Sequence, residues 1–241
     1  MFLMCHLLTG ILIGMPLSGY FRDRHIVTAC AVGALLPDLI DKPLGHFLLD
    51  GGIGSGRIYA HGIFFFLALL LIGILIWRKN QSFFIIALSF GVLSHQALDL
   101  MWQIPENWFY PLLGPYRRTE YPDFFWAAIT AELTSISEWM FFSASAVTLS
   151  LHYRDSLEQV LRPGIWHRLR TLHAAVIPAL AGMGGYALCA WMVSAPSHLM
   201  ANESPEANLL LGLASVSGAV LILGQHRSLA KQTDAELNGV R

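Results

Sequence analysis

Apolar residues run through this chain in long unbroken blocks, separated by short segments that hold nearly all the charges. Seven such blocks predict helices at about 3–20, 25–41, 60–77, 82–101, 125–151, 172–194 and 207–225. The stretches Asn80 to Leu98, Thr171 to Asn202 and Ala207 to His226 contain no Asp, Glu, Lys or Arg. Each approaches or exceeds the roughly 18 apolar residues that mark a bilayer-spanning helix. The second block ends in Leu35-Leu36-Pro37-Asp38. Helix is disfavoured at the residue before a proline, so this span is expected to stop or bend there. Helix ends of that kind occur where backbone lines a polar cavity rather than lipid. No repeat of fixed period is visible. The pattern therefore predicts an all-α polytopic transmembrane bundle of about seven spans, forming a single transmembrane domain over residues 1–241.

Composition sharpens this picture. Of 241 residues, 13% are charged and 55% hydrophobic, about half the roughly 25% charge of soluble domains. A net charge of −1 and a pI near 6.8 provide no basic stripe, which excludes a nucleic-acid binder. Cys5, Cys30 and Cys189 stand singly in apolar stretches and read as small buried hydrophobes. The first block lacks the basic start and small-residue cleavage site of a signal peptide, so it is expected to be a retained span. Of the 15 cationic residues, the seven-span arrangement puts eleven on one side. Only Lys42, Arg57, Arg117 and Arg118 fall on the side that holds the N-terminus. Cytoplasmic loops collect Lys and Arg, so the N-terminus is expected outside an inner (plasma) membrane and the C-terminus in the cytoplasm. The glycine run Gly51 to Gly56 follows no strand and is expected to be a flap or a linker rather than a nucleotide-binding turn.

Topology turns five scattered residues into a candidate site. His6 lies at the outer end of the first span, Asp38 at the outer end of the second and His61 at the start of the third. His95 and Asp99 finish the fourth at the same face. None of these residues entered the assignment of sides. On a helix, a separation of four puts His95 and Asp99 on one face, about 5–6 Å apart at Cβ. Imidazoles mixed with carboxylates favour zinc, then iron or manganese, over the all-oxygen shells of magnesium and calcium. A catalytic zinc keeps one position for water and lowers its pKa to about 7. One or two divalent ions are expected, and two would also clamp the attacking and leaving oxygens of a phosphoester. Residues 1–124 thus carry the metal-site helices and 125–241 additional helices. Asp41 is either a spare ligand or support for one, or a solvated loop carboxylate paired with Lys42.

The stretches His6-Leu7-Leu8-Thr9-Gly10, Gly33-Ala34-Leu35-Leu36-Pro37-Asp38 and Gly91-Val92-Leu93-Ser94-His95-Gln96-Ala97-Leu98-Asp99 resemble the LexA-regulated, membrane-bound metal-dependent hydrolase family (the YdjM-like proteins). Members carry His-Arg-Gly-x-Thr-His-Ser before the third span. This chain reads Gly56-Arg57-Ile58-Tyr59-Ala60-His61-Gly62, keeping Arg57 and His61 and replacing the first histidine and the serine. The resemblance covers roughly residues 4–116 and implies metal-dependent hydrolysis. The order His, Asp, His, His-x-x-x-Asp is also similar, more distantly, to the zinc site of zinc-dependent phospholipases C and P1-type nucleases. Carried over, that likeness implies one ion on Asp38, His61, His95 and Asp99, and a second on His6 and Asp99. The later His-x-x-x-Glu of those enzymes has no counterpart after Asp99.

Arg57 is expected about one helical turn before His61, where a guanidinium fork suits phosphate oxygens. Arg117 and Arg118 read either as phosphate ligands or as interfacial arginines. Glu132, nearer the outer side of the fifth span, is a candidate acid–base or supporting group. Glu138, about two turns deeper, fits that role less well. Either could instead hydrogen-bond neighbouring helices. The leading expectation is a membrane-embedded metal-dependent hydrolase acting at the outer face on a phosphoester or related bond. Its partners would be membrane lipids and a small amphiphilic or lipid substrate. Two other classes remain: an ion-coupled transporter using Glu132 and Glu138, and a non-catalytic scaffold in which bound metal locks the helices.

Overall fold

A computed structural model of the chain describes residues 3–45, 56–116, 124–157, 159–160, 163–197 and 204–239. Every regular element among them is helical, as the apolar blocks predict. The order is α1 (Leu3–Phe21), α2 (His25–Pro43), α3 (Ile63–Asn80), α4 (Phe84–Leu98), a 3-10 turn (Met101–Gln103), α5 (Pro105–Trp108), α6 (Phe124–Thr134), α7 (Ile136–His152), α8 (Arg154–Leu157), α9 (Pro163–Met192) and α10 (Pro205–Gly239). The chain divides into two compact units, Met1–Trp139 and Met140–Arg241.

Among the described residues, four helices are long and apolar enough to cross a membrane: Leu3–Phe21, Ile63–Asn80, Thr171–Met192 and Pro205–Ser228. The count of seven therefore exceeds what length and composition of the observed helices establish. The expected span 82–101 is shorter in the structure, because the chain leaves the helix at Asp99 and Leu100 takes a left-handed conformation (φ 54°). The expected span 125–151 is two helices broken at Ser135. Hydroxyls there compete with the helical ladder: Ser135 Oγ meets Ser137 Oγ at 2.8 Å, and Thr134 Oγ1 donates to Thr130 O at 2.7 Å. The proline-directed stop in α2 does not occur. Helix continues through Pro37 to Pro43, since α2 is sandwiched between α1 and α4, and packing compensates for the one bond Pro37 cannot donate.

In the first unit α1 packs on α2, α2 on α4, and α4 on α3. Small residues let α1, α2 and α4 approach closely, as helices in lipid require. A Cβ on Gly33 would lie 2.1 Å from Leu88 O, and one on Gly91 would lie 2.2 Å from Cys30 O. Cys30 Sγ donates to Ala87 O at 3.2 Å in the same seam. By contrast, α3 buries only Phe66 and Gly73, leaving Leu67, Leu71 and Leu75 exposed on a surface suited to lipid. In the second unit α9 and α10 form an antiparallel hairpin, with Gly184 against Val216 and Gly212 against Leu188. Cys5 and Cys30 are buried, but Cys189 is exposed on α9, contrary to the expectation of three buried cysteines. A residue that faces lipid gains nothing from turning inward, so its apolar neighbours in sequence gave no sign of this.

Because the α2–α4 seam has no room for a methyl, Gly33→Ala and Gly91→Ala should each destabilise the first unit by about 1–3 kcal/mol or more. Gly19→Ala, which meets nothing within 4 Å, should be near neutral. Thermal melts of detergent-purified variants measure the difference.

Candidate metal centre

The close α2–α4 packing brings Ala34 O within 2.7 Å of His95 Nδ1. A carbonyl only accepts, so Nδ1 carries the proton and His95 Nε2 is left with a lone pair. His61 is treated alike from the other side. It lies in the turn just before α3, and its Nδ1 is 2.7 Å from the Asp41 carboxylate, so its Nε2 is also presented as an acceptor. The two Nε2 atoms then face each other at 3.1 Å. Two lone pairs aimed together repel unless a proton or a cation lies between them. A ring nitrogen anchored to a carbonyl or carboxylate, with the other turned inward, is the arrangement of metal-binding histidines.

Carboxylates complete the shell. Asp38 Oδ1 lies 3.5 Å from His61 Nε2 and 3.7 Å from His95 Nε2. Asp99 Oδ2 lies 3.7 and 3.9 Å from the same two atoms. Tetrahedral zinc with bonds of 2.0–2.1 Å needs ligand separations of about 3.3–3.4 Å, so small rotations suffice to seat an ion. His6 stacks on His95 (centroids 3.9 Å, planes 21° apart), with its Nε2 3.3 Å from Asp99 Oδ1. Neither His6 nitrogen has a well-aligned hydrogen bond among the described residues. Two sets of three donors each lie within 4.8 Å of one another: His6, Asp38 and His95, and His61, His95 and Asp99. All three histidines are fully buried.

Asp38, Asp41 and Asp99 are buried. Lys42 Nζ lies 2.8 Å from Asp38 Oδ2, and Arg57 Nε lies 3.0 Å from Asp99 Oδ2. Burial opposes a charge on His61, but hydrogen bonding to Asp38 and Asp41 outweighs it, and the pKa of this ring is raised above the ordinary histidine value. In metal-free protein a proton on His61 can therefore offset part of the buried negative charge, and a bound cation would take over that part.

Asp41, together with Gln96 and Asn107, which the sequence did not single out, holds the turn containing Arg57 and His61. The Asp41 carboxylate accepts from Ile58 N (2.9 Å), Ala60 N (3.0 Å) and His61 N (3.1 Å) as well as from the His61 ring. Gln96 donates to Ala60 O and Gly62 O and accepts from Trp108 Nε1. Asn107 donates to Arg57 O at 3.1 Å. Asp41 is thus no solvated loop carboxylate, and Lys42 pairs with Asp38 instead. The available signal was weak: Gln96 is an amide inside an apolar block, beside a candidate ligand.

Of the expected site residues, His6, Asp38, His61, His95, Asp99 and Arg57 come together. Arg57 does so from the turn rather than from a helix, since α3 begins only at Ile63. Glu132 is half-buried on α6, and no hydrogen bond or ion pair joins it to the cluster among the described residues. It is Glu138 that reaches α1, accepting from Met4 N at 2.6 Å, two residues before His6. A carboxylate at a helix N-terminus is favourably placed in the helix dipole, and this one ties Glu138 to the helix that bears His6. Arg117, Arg118 and the glycine run from Gly51 to Ser55 lie outside the described residues.

Fold and site together define an integral membrane protein whose helices gather buried histidines and aspartates. The chain matches the YdjM inner membrane protein family over residues 1–188 and belongs to it. It is accordingly an inner membrane protein. The match extends well beyond residue 116, where the sequence resemblance was expected to end, and takes in most of α9. Nothing matches among curated proteins, and nothing among solved structures.

Removing the Asp41 carboxylate strands three buried N–H donors, each worth about 1–3 kcal/mol. Asp41→Ala should therefore lower stability by several kcal/mol in a thermal melt. If the cluster holds a divalent ion, the milder Asp41→Asn should weaken its binding by about 10–100-fold, as read by competition with a chelating dye.

Proposed function

We propose that this protein is a metal-dependent hydrolase of the outer face of the inner membrane, acting on a phosphoester or related bond of an amphiphile. The observation that carries this reading is the pair of imidazole Nε2 lone pairs held 3.1 Å apart by Ala34 and Asp41, with carboxylate oxygens around them. His61, His95, Asp38 and Asp99 would hold one divalent ion, zinc by the chemistry of the donors, and His6 with Asp99 a second. Such an ion supplies Lewis acidity and makes bound water acidic near pH 7. The protein's own part is to fix the ring tautomers, to exclude bulk water by burying the histidines, and to place Arg57 beside Asp99 for contact with an anionic group.

The seven-span topology with an external N-terminus belongs to the same proposal. It is supported by the eleven-to-four division of cationic residues and by the meeting of the outer ends of α1, α2 and α4 with the start of α3. A second reading, metal as a structural lock, draws on the same four donors, which could close a tetrahedron with no place for water. The transporter reading is weakened by Glu138, whose carboxylate is tied to the α1 backbone.

Metal analysis of purified protein, followed by an activity assay, separates these readings. Wild type should retain one or two zinc ions per chain, and His95→Ala should fall to background; equal content in the two would remove the premise. Turnover of short-chain phosphoester amphiphiles by wild type and its loss in His95→Ala support hydrolysis. Bound metal with no turnover across such a panel supports the lock.

A further inference from the structure

Lys42 and Arg57 occupy a distinctive position. Each neutralises one of the two carboxylates that face both His61 and His95, and each is about one-third exposed while its carboxylate is buried. They form the rim of the cluster, with the donors beneath. Arg57 Nε sits 3.0 Å from Asp99 Oδ2, the same oxygen that faces the two imidazoles. Lys42 holds Asp38 by Oδ2, while Oδ1 faces the imidazoles. Without an ion these cations compensate buried negative charge. A divalent ion held by Asp38 and Asp99 would take over that compensation and would repel both side chains. Partial exposure of the two charged heads screens this repulsion without removing it, because the carboxylates beneath are buried. Lys42, on the last turn of α2, and Arg57, in the turn before α3, would then be free to turn toward an anion at the metal.

We propose that Lys42 and Arg57 form a two-cation receptor for the phosphoryl group of an anionic amphiphile, released for that role when a divalent ion takes over their carboxylates. The inference rests on the metal-site reading above and adds a residue, Lys42, and a substrate charge to it. Guanidinium and ammonium together suit a phosphoryl group: the first offers a planar fork and the second a movable point charge. Exchange of partners also makes anion binding conditional on metal, so that metal-free protein does not trap phosphate.

Isothermal titration tests this with inorganic phosphate and with dodecyl phosphate, on full-length protein with and without zinc and in a neutral detergent. Zinc content is measured first, so that failure to bind metal is recognised as failure of the metal-site reading itself. In zinc-loaded wild type both probes should bind, dodecyl phosphate more tightly, and chelation should abolish binding. Lys42→Met and Arg57→Gln should each weaken phosphate binding by about tenfold or more, the loss of one charge-assisted contact. Their zinc affinity should be unchanged or raised, because a repulsive neighbour of the ion is gone. A merely structural ion pair predicts the opposite: weaker zinc and unaltered phosphate binding. That result, or phosphate binding by zinc-free wild type equal to that of the loaded form, overturns the proposal. Equal binding of the two probes to zinc-loaded protein overturns its amphiphile half.

Discussion

The histidine–aspartate cluster of the first unit depends on where two imidazole protons reside. Ala34 O and the Asp41 carboxylate each claim an Nδ1–H, and the opposing Nε2 atoms converge at 3.1 Å. Neither anchor is movable. Ala34 belongs to a helix pressed against α4 by glycines that leave no room for a methyl, and Asp41 is bound by three backbone amides of the turn that carries His61. The backbone thus imposes an electrostatic conflict that side-chain rotation cannot relieve without breaking a buried hydrogen bond. A positive charge between the rings relieves it.

Burying three carboxylates and three imidazoles near one another is unfavourable in any protein and more so beside lipid. The molecule limits the cost in two ways. It keeps Lys42 and Arg57 at the rim, where their charged heads retain water while their pairing neutralises the acids beneath. It also satisfies the turn from Arg57 to Gly62 through Asp41, Gln96 and Asn107, so that few buried backbone groups compete for the ligands. An irregular segment buried among the helices of a membrane protein is stable only when protein supplies its hydrogen bonds. Here the same bonds that permit the turn also aim His61.

The second unit is of simpler design. Its α9–α10 hairpin is joined by small-residue contacts typical of association in lipid. The family relationship covers most of α9, so the first helix of this hairpin is part of what the chain shares with its relatives, whereas the clustered donors His6, Asp38, His61, His95 and Asp99 lie in the first unit.

Hydropathy alone determined that the chain is helical and membrane-bound, because a segment without charges has one stable solution in lipid. Topology then carried His6, Asp38, His61, His95 and Asp99 to a single face, since alternate ends of antiparallel helices must meet. Helix limits were less legible. Pro37 does not end α2, because packing on two sides outweighs one lost bond, and the expected fifth span is broken at Ser135, where hydroxyls take over backbone acceptors. Tertiary structure alone decided the roles of Asp41, Gln96 and Lys42, and the contact of Glu138 with the start of α1. Those roles are set by which backbone amide or carbonyl lies within about 3 Å of a side chain. No one-dimensional pattern specifies that distance, because it arises from how closely two glycine-lined helices can approach.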